Sequence, residues 1–167
     1  GDDSTSRLIT AFKFNDKPDL IWIKNRDESV DHTLYDSVRG FGANKELTPN
    51  NNYSQGETGT GKPNTDVWGY VNSNNFNGFT VNKGSNSTPS VVNSNGIDYV
   101  SWCWKAGGNK NTFNKDDVGY ASAAAAGLDG GSLAVTGASV GTKQGFSIIK
   151  FASGSSGNKT LSHGLLE

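Results

Sequence analysis

The segment Gly56-Glu-Thr-Gly-Thr-Gly-Lys62-Pro63 has the spacing of a loop that binds nucleotide phosphates through backbone N–H groups and a lysine. Such a loop continues with a residue whose hydroxyl coordinates Mg²⁺ and which begins a helix. Pro63 has no hydroxyl, and the polar residues before Gly56 do not indicate a buried strand. The sequence therefore favours a plain glycine-rich loop over a nucleotide site.

The acidic residues could act in glycoside hydrolysis, which needs two carboxyl groups on opposite sides of a groove. Glucanases built on β-sandwiches carry these groups in a Glu-x-Asp-x-x-Glu strand, and no glutamate of this chain has a carboxylate partner at that spacing. The adjacent pairs Asp27-Glu28 and Asp116-Asp117 would point to opposite sides of an extended chain, so they fit solvated turns better. We predict no catalytic residues and no enzymatic activity, and a hydrolase is the least favoured alternative.

Metal binding by histidine is not indicated, because His32 and His163 stand alone in their segments. Calcium is a stronger candidate, since carboxylate, amide and carbonyl oxygens in loops are the ligands that it prefers. Its weak candidate ligands are Asp16, Asp27, Asp31 and Asp129. The favoured interpretation is that these are turn carboxylates with local hydrogen bonds, so we predict no cofactor, with Ca²⁺ as the open alternative.

Recognition of a sugar by aromatic side chains is the chemistry that the sequence supports best. An aromatic ring stacks on the face of a pyranose while amide and carboxylate groups bind its hydroxyls. Several aromatic residues lie in or beside a long polar stretch between residues 45 and 66, and long loops often carry function. The candidate glycan-binding residues are Tyr53, Asn64, Asp66, Trp68 and Tyr70. The competing interpretation is that Trp68 closes the edge of a sheet, because tryptophan is mostly buried.

The other three tryptophans are expected in the core. Trp22, Trp102 and Trp104 alternate with other residues in strand-like runs. In the run Tyr99–Lys105, alternation places Trp102 and Trp104 on one side of a strand and Cys103 on the other. The single cysteine is interpreted as a small buried side chain, since no base that would activate it is indicated.

Charge and hydropathy argue against two classes of partner. The 167 residues carry a net charge of −1 with scattered lysines, so no basic surface for nucleic acid is indicated. No apolar run reaches the ~20 residues needed to span a bilayer, and the first residues do not form a signal peptide. We therefore predict neither nucleic-acid binding nor membrane insertion.

Many short strands are indicated along the chain. Its 22 glycines and numerous asparagines separate alternating β-branched and aromatic runs, and no strand–helix alternation indicates a parallel sheet. Asn77-Gly78 predicts a hairpin turn. Residues 120–126 favour one short helix capped by Asp116 or Asp117, with an irregular alanine-rich crossing as the alternative. We predict an all-β fold, an antiparallel β-sandwich with at most one or two short helical turns.

The chain is long enough to bury one core, so residues 1–152 are predicted to form a single β-sandwich domain whose first strand covers Leu8–Phe14. Residues 153–167 begin with Ser153-Gly-Ser-Ser-Gly157, a flexible turn sequence. They are expected to add an edge strand over Thr160–His163 or to open a following module. Leu166-Glu167 is interpreted as a cloning remnant.

Five segments carry a resemblance to a known family of modules: Pro18–Asp27, His32–Gly40, Tyr99–Lys105, Val118–Leu128 and Gly145–Phe151. Together they resemble a structural module of bacteriophage tail fibres and other virion proteins, especially those of marine cyanophages. The resemblance implies a lectin-like, concanavalin-type jelly roll, a location in the virion beside other virion proteins, and no catalytic residues. Fibre proteins are commonly homotrimers, although nothing in these residues specifies a symmetry.

Two functions from different classes follow from these observations. The first is a non-catalytic structural or adhesion module of a phage tail fibre or other virion appendage, with host cell-surface polysaccharide as its expected ligand. The alternative is a carbohydrate-binding module of a secreted or surface protein, with or without calcium.

Overall fold

The computed structural model describes residues 1–10, 16–87 and 91–165. Within these residues it contains one short helix, α1 (Thr65–Trp68), and ten strands: β1 (Arg7–Thr10), β2 (Leu20–Asn25), β3 (Thr33–Asp36), β4 (Tyr70–Asn75), β5 (Gly78–Asn82), β6 (Tyr99–Trp104), β7 (Phe113–Lys115), β8 (Val118–Tyr120), β9 (Val135–Gly141) and β10 (Phe146–Phe151). The all-β fold class is confirmed. Part of the predicted strand Leu8–Phe14, together with Leu166-Glu167, lies outside the described residues.

Contacts along the chain cluster into two compact units. Unit 1 consists of Gly1–Asp36 and Gly40–Cys103, and unit 2 consists of Ser37–Arg39 and Trp104–Glu167. The single domain over residues 1–152 stays a prediction.

Unit 1 is a β-sandwich. One of its sheets has the order β1-β5-β4 and the other the order β3-β2-β6, and the pairs β1–β5, β4–β5 and β2–β3 are antiparallel. Alternation along each strand sends every second side chain inward. The two sheets share one core cluster, to which both contribute buried side chains: Ile21, Ile23, Tyr35, Val71, Phe79 and Val81. Two sheets that bury a common apolar layer define the predicted sandwich architecture.

The Asn77-Gly78 turn is confirmed. Asn77 has a φ of 56°, a left-handed conformation that asparagine tolerates, and it joins β4 to β5. Gly78 lies against β1, where an added Cβ would be 2.0 Å from the carbonyl oxygen of Ile9. The glycine is therefore required by the close approach of the neighbouring strand.

The tryptophans of β6 do not lie in the core. Side chains on β6 alternate as predicted, but Trp102 is 42% exposed and Trp104 is 38% exposed, whereas Tyr99 and Cys103 pack against the core of unit 1. Trp22 is half-buried and lies outside the core cluster. The prediction that these three are core residues is wrong, because alternation tells which residues share a face but not which face is covered.

Unit 2 contains a four-stranded sheet in the order β10-β9-β7-β8. Its pairs β9–β10 and β7–β8 are antiparallel, but β7 and β9 are parallel, which the strand pattern does not predict. Small and aliphatic side chains form its core cluster: Ala126, Leu128, Val135, Ala138 and Val140. Leu161 and Leu165 pack against this cluster without forming the edge strand predicted over Thr160–His163.

The short helix lies elsewhere than predicted. Residues 121–127 form irregular turns, in which the N–H of Leu128 donates to the carbonyl of Ala123, so the alanine-rich crossing is the correct alternative. Asp116 and Asp117 have φ values of 48° and 65° and form the turn between β7 and β8 instead of a helix cap. In the part of the chain that is described, no helix has the length and apolar character to cross a membrane.

Candidate functional site

The long polar loop between β3 and α1 is attached to unit 1 by a buried hydroxyl. Thr65, the first residue of α1, is fully buried; its Oγ1 accepts the N–H of Asn44 at 3.0 Å and donates to Oε2 of Glu46 at 2.7 Å. Glu46 is itself only 1% exposed. Because a buried carboxylate needs hydrogen-bond donors, this contact holds the end of the loop in one position.

Asn64 shapes the loop from within. It adopts a left-handed conformation with a φ of 44°, and its side-chain amide makes hydrogen bonds to both backbone groups of Gly59 and to the carbonyl of Lys62. These three bonds engage both ends of the amide. Asn64 therefore positions the backbone before α1 and is not oriented toward a ligand by these contacts.

Lys62 connects two further side chains of the loop. Its Nζ lies 2.8 Å from Oε1 of Glu57 and 3.9 Å from the centre of the Tyr53 ring, an ion pair combined with a cation–π contact. The hydroxyl of Tyr53 donates to the carbonyl of Gly61 at 2.9 Å. The hydrogen bond from Lys62, followed by one from the N–H of Ser54, lowers the pKa of the Glu57 carboxyl below its ordinary value.

Trp68 lines a pocket of about 200 Å³, which we call the loop pocket. Its lining includes Val30, Asp31, Lys62, Pro63 and Trp68. The indole of Trp68 is half-buried and also packs against the core cluster of unit 1. Trp68 therefore covers part of the core and also lines an open pocket, and both interpretations of this residue stay predictions.

Asp31 supplies the carboxylate of the loop pocket. Its Oδ1 accepts hydrogen bonds from the side-chain amides of Asn50 and Asn51, each at 2.7 Å. Within the described ranges no protein donor reaches Oδ2, which is left as an acceptor. A half-buried indole beside a carboxylate and an ammonium is a combination that binds a hydroxyl-bearing ring by stacking and hydrogen bonding.

The other predicted glycan-binding residues are dispersed. Tyr70 is half-buried in β4 and packs against the core cluster, and Asp66 is exposed in the first turn of α1. Neither lines the loop pocket, and Tyr53 adjoins it only through Lys62. The structure thus brings Trp68 together with Asp31, a residue that the sequence indicated only as a weak calcium ligand.

The four aspartates considered for calcium are divided between the two units: Asp16, Asp27 and Asp31 belong to unit 1 and Asp129 to unit 2. Asp16 accepts the N–H of Lys17, Asp27 accepts the N–H of Asp98, and Asp31 accepts two amides, whereas Asp129 is an exposed residue of unit 2. Among residues 1–10, 16–87 and 91–165, no group of three or more histidine, cysteine or acidic side chains is placed to hold a metal ion. Ca²⁺ stays the open alternative at these positions, because backbone carbonyl and amide oxygens also coordinate it.

A second group of rings lies on the outer side of the sheet β3-β2-β6, where Trp22 and His32 are half-buried and Trp102 is exposed. We call Trp22, His32 and Trp102 the aromatic face. The Trp22 and Trp102 ring centres are 5.3 Å apart and their planes are tilted by 51°. His32, just before β3, lies 5.7 Å from Trp22, whose Nε1–H donates to its Nδ1 at 3.0 Å. The alternation of side chains along β2 indicates this group: Ile21 and Ile23 are buried in the core, so Trp22 between them points to the opposite side of the sheet.

A cavity of about 220 Å³ is lined by residues from both sheets of unit 1, including Ile9, Ile23, Phe79 and Tyr99. Burial is the main reason that the pKa of Tyr99 is raised to about 12, and its hydroxyl oxygen accepts the N–H of Ser94. This cavity opens to the surface, because its lining also includes the partly exposed Arg7 and the exposed Asp98.

Fold and surface together define an all-β protein whose sandwich unit carries a loop pocket and an aromatic face. The chain belongs to the family described as a domain of unknown function (DUF7483), whose model matches residues 1–167. No curated protein and no solved structure matches the chain.

Proposed function

We propose that this protein is a non-catalytic structural and adhesion module of a phage tail fibre or other virion appendage, and that it binds host surface glycan at the loop pocket. The observation that carries the proposal is the placement of Trp68 beside Asp31 and Lys62 in an open pocket of about 200 Å³. Such a volume fits a single sugar unit better than an extended apolar ligand.

The chemistry of the loop pocket supports a sugar over other small ligands. An indole face provides apolar contact for the C–H side of a pyranose, while the carboxylate of Asp31 and the ammonium of Lys62 provide an acceptor and a donor for hydroxyls. The charge of Lys62 is already balanced by Glu57 at 2.8 Å. The ammonium of Lys62 is therefore not an unpaired cation that would select an anionic ligand.

The arrangement of carboxylates supports a binding role over hydrolysis. Asp31 is the acidic residue that lines the loop pocket within the described part of the chain, and hydrolysis of a glycosidic bond needs two such groups across the substrate. Three other carboxyl groups are almost fully buried, and none of them lines this pocket: Asp19, Asp36 and Glu46.

The assignment to a virion appendage is supported by the resemblance of five segments to phage fibre modules. A homotrimer beside other virion proteins is part of the same proposal. The alternative, a carbohydrate-binding module of a secreted or surface protein, uses the same pocket and differs only in location. Detection of the chain by mass spectrometry in purified phage particles, combined with sedimentation of the isolated module as a trimer, would favour the virion assignment.

A glycan array tests the binding function directly. We expect the wild-type protein to bind a subset of neutral or acidic glycans, and Trp68→Ala to lose at least about tenfold in affinity because stacking is removed. Phe76→Ala is the matched control, since Phe76 is 62% exposed in the β4–β5 connection and does not line the pocket. The array is run at several Ca²⁺ concentrations. If no glycan binds at any of them, or if Trp68→Ala binds as tightly as the wild-type protein, the proposal is overturned.

A further inference from the structure

The loop pocket and the aromatic face are adjacent along the backbone. Asp31 lines the loop pocket, and the next residue, His32, belongs to the aromatic face. Consecutive Cα atoms are about 3.8 Å apart, so the two regions meet at this peptide. From His32 the rings continue to Trp22 at 5.7 Å and then to Trp102 at 5.3 Å.

Backbone pairing gives the aromatic face a fixed geometry. Just beyond the strand ends, the N–H of Arg26 donates to the carbonyl of Asp98, which shows that β2 and β6 run antiparallel. The hydrogen bond from Trp22 to Nδ1 of His32 orients both rings and leaves the proton of a neutral imidazole on Nε2, where it is a donor. Rings that are held before binding lose little conformational entropy when a ligand stacks on them.

The junction between the two regions is polar, and its carboxylate, Asp31, is hydrogen-bonded by two neutral side-chain amides. The exposed residues Asn50 and Asn51 each donate one amide N–H to Asp31, and the amide has a second N–H for a ligand. Asn50 also accepts the backbone N–H of His32 at 2.9 Å. Ring faces that alternate with amide and carboxylate groups complement a chain of uncharged polyhydroxyl rings better than an apolar helix or a highly charged polymer.

From this continuity we infer that the two regions form one extended binding track for an internal stretch of a neutral polysaccharide, running from Trp68 across Asp31 and His32 to Trp22 and Trp102. This inference rests on the proposed function and adds the ligand class and its mode of binding. One sugar occupies the loop pocket, and neighbouring sugars of the same chain lie over the aromatic face.

The length of the ligand tests the track. Calorimetric titrations would use ladders of cello-, laminari-, malto- and mannooligosaccharides, each from the disaccharide to the octasaccharide. We expect at least one ladder to bind, with affinity rising by about tenfold or more between the trisaccharide and the octasaccharide because a second subsite is engaged by the same molecule. Trp102→Ala should lose this gain in affinity while retaining the wild-type affinity for the trisaccharide. Trp68→Ala should bind ligands of every length more weakly. The control Phe76→Ala should change neither the trisaccharide affinity nor the gain with length.

Other outcomes separate the track from the pocket. Affinity that is independent of length, or a length gain that survives in Trp102→Ala, overturns the track and leaves glycan binding at the loop pocket intact. A glycan array that is positive while all four neutral ladders fail also overturns the track alone, whereas a blank array overturns both proposals. If Trp102→Ala instead changes the sedimentation coefficient, the aromatic face is a contact between copies of this chain, and the track is wrong.

Discussion

The loop pocket and the aromatic face hold their tryptophans by different physical means. In the aromatic face, Trp22 and Trp102 extend from two paired strands whose opposite sides are buried in the core of unit 1. In the loop pocket, Trp68 ends a helix of four residues that is positioned by the buried Thr65 and by the αL residue Asn64.

The two regions should therefore be sensitive to different substitutions. The backbone of the aromatic face is held by many inter-strand hydrogen bonds, so no single side chain outside the core controls the positions of its strands. The geometry of the loop depends on a few side-chain hydrogen bonds, and the loss of one buried partner leaves others unsatisfied. The effects of substitutions on stability and binding should therefore differ in magnitude and in the region affected, according to whether the residue lies beneath the sheet, within the loop or on the surface.

The largest effect is expected from the layer beneath the aromatic face. Ile23→Ala should lower the free energy of unfolding by about 2–5 kcal/mol, because Ile23 is 3% exposed and its loss leaves a cavity in the core. Trp102→Ala on the opposite side should cost only about 1 kcal/mol, mainly its contact with Trp22. Urea unfolding followed by circular dichroism measures both values, and equal losses would contradict the assignment of the two faces.

An intermediate effect is expected where the loop is attached. Thr65→Val keeps the volume but removes the hydroxyl that bonds Asn44 and Glu46, so the free energy of unfolding should fall by about 1–3 kcal/mol. Thr65→Ser retains the hydroxyl and is the control. Glycan binding that needs Trp68 should weaken in Thr65→Val. The tryptophan fluorescence of Trp22 and Trp102 in the aromatic face should not change. A shift of their emission would show that the two regions are not independently supported.

A kinetic difference is expected between adjacent residues of β6. Burial raises the pKa of Cys103 to about 12, against a smaller opposing effect of the Ser101 hydrogen bond. The reactive thiolate should therefore be scarce at pH 8, and modification by a thiol reagent should be at least about a hundredfold slower than in urea. Acrylamide should at the same time quench the fluorescence of the exposed Trp102, assigned by comparison with Trp102→Phe. Rapid thiol modification of the folded protein would place Cys103 on an open face.

The smallest effect is expected at the ion pair of the loop. Lys62 lowers the pKa of the Glu57 carboxyl below its ordinary value of 4.5, and the hydrogen bond from Ser54 acts in the same direction. A carboxyl with a lowered folded-state pKa contributes stability at neutral pH that is lost as the pH falls below 4.5 through the folded-state value. NMR titration should find the Glu57 pKa lowered in the wild-type protein and closer to 4.5 in Lys62→Met. An identical pKa in both proteins would remove Lys62 as the cause.

Local patterns were sufficient to predict the strand-rich fold and some of its details. Alternation in Tyr99–Lys105 correctly separated the side of Trp102 from the side of Cys103, and Asn77-Gly78 correctly located a turn, because both depend on backbone geometry within a few residues. The helix predicted over residues 120–126 did not form. Alanine propensity over such a short segment contributes too little to outweigh the packing of turns against a core.

The candidate site was only partly accessible to such reasoning. Trp68 was identified because it follows a long polar loop, but its partner Asp31 lies far away along the chain, and no pattern within one segment relates the two. The same limitation explains why Trp22 and Trp102 were assigned to the core. Which of two apolar faces is covered depends on where the second sheet packs, and that is a property of the assembled sandwich.

Short strands with two-sided alternation could be predicted from the amino-acid sequence, since period-two patterning and turn residues act locally. Three features depend on tertiary packing instead: which tryptophans are exposed, that Asp31 and Trp68 line one pocket, and that His32 lies against Trp22. These features depend on how the β-sheets bury one common core. The free energy of that burial comes from residues far apart in the sequence, so no local pattern predicts it.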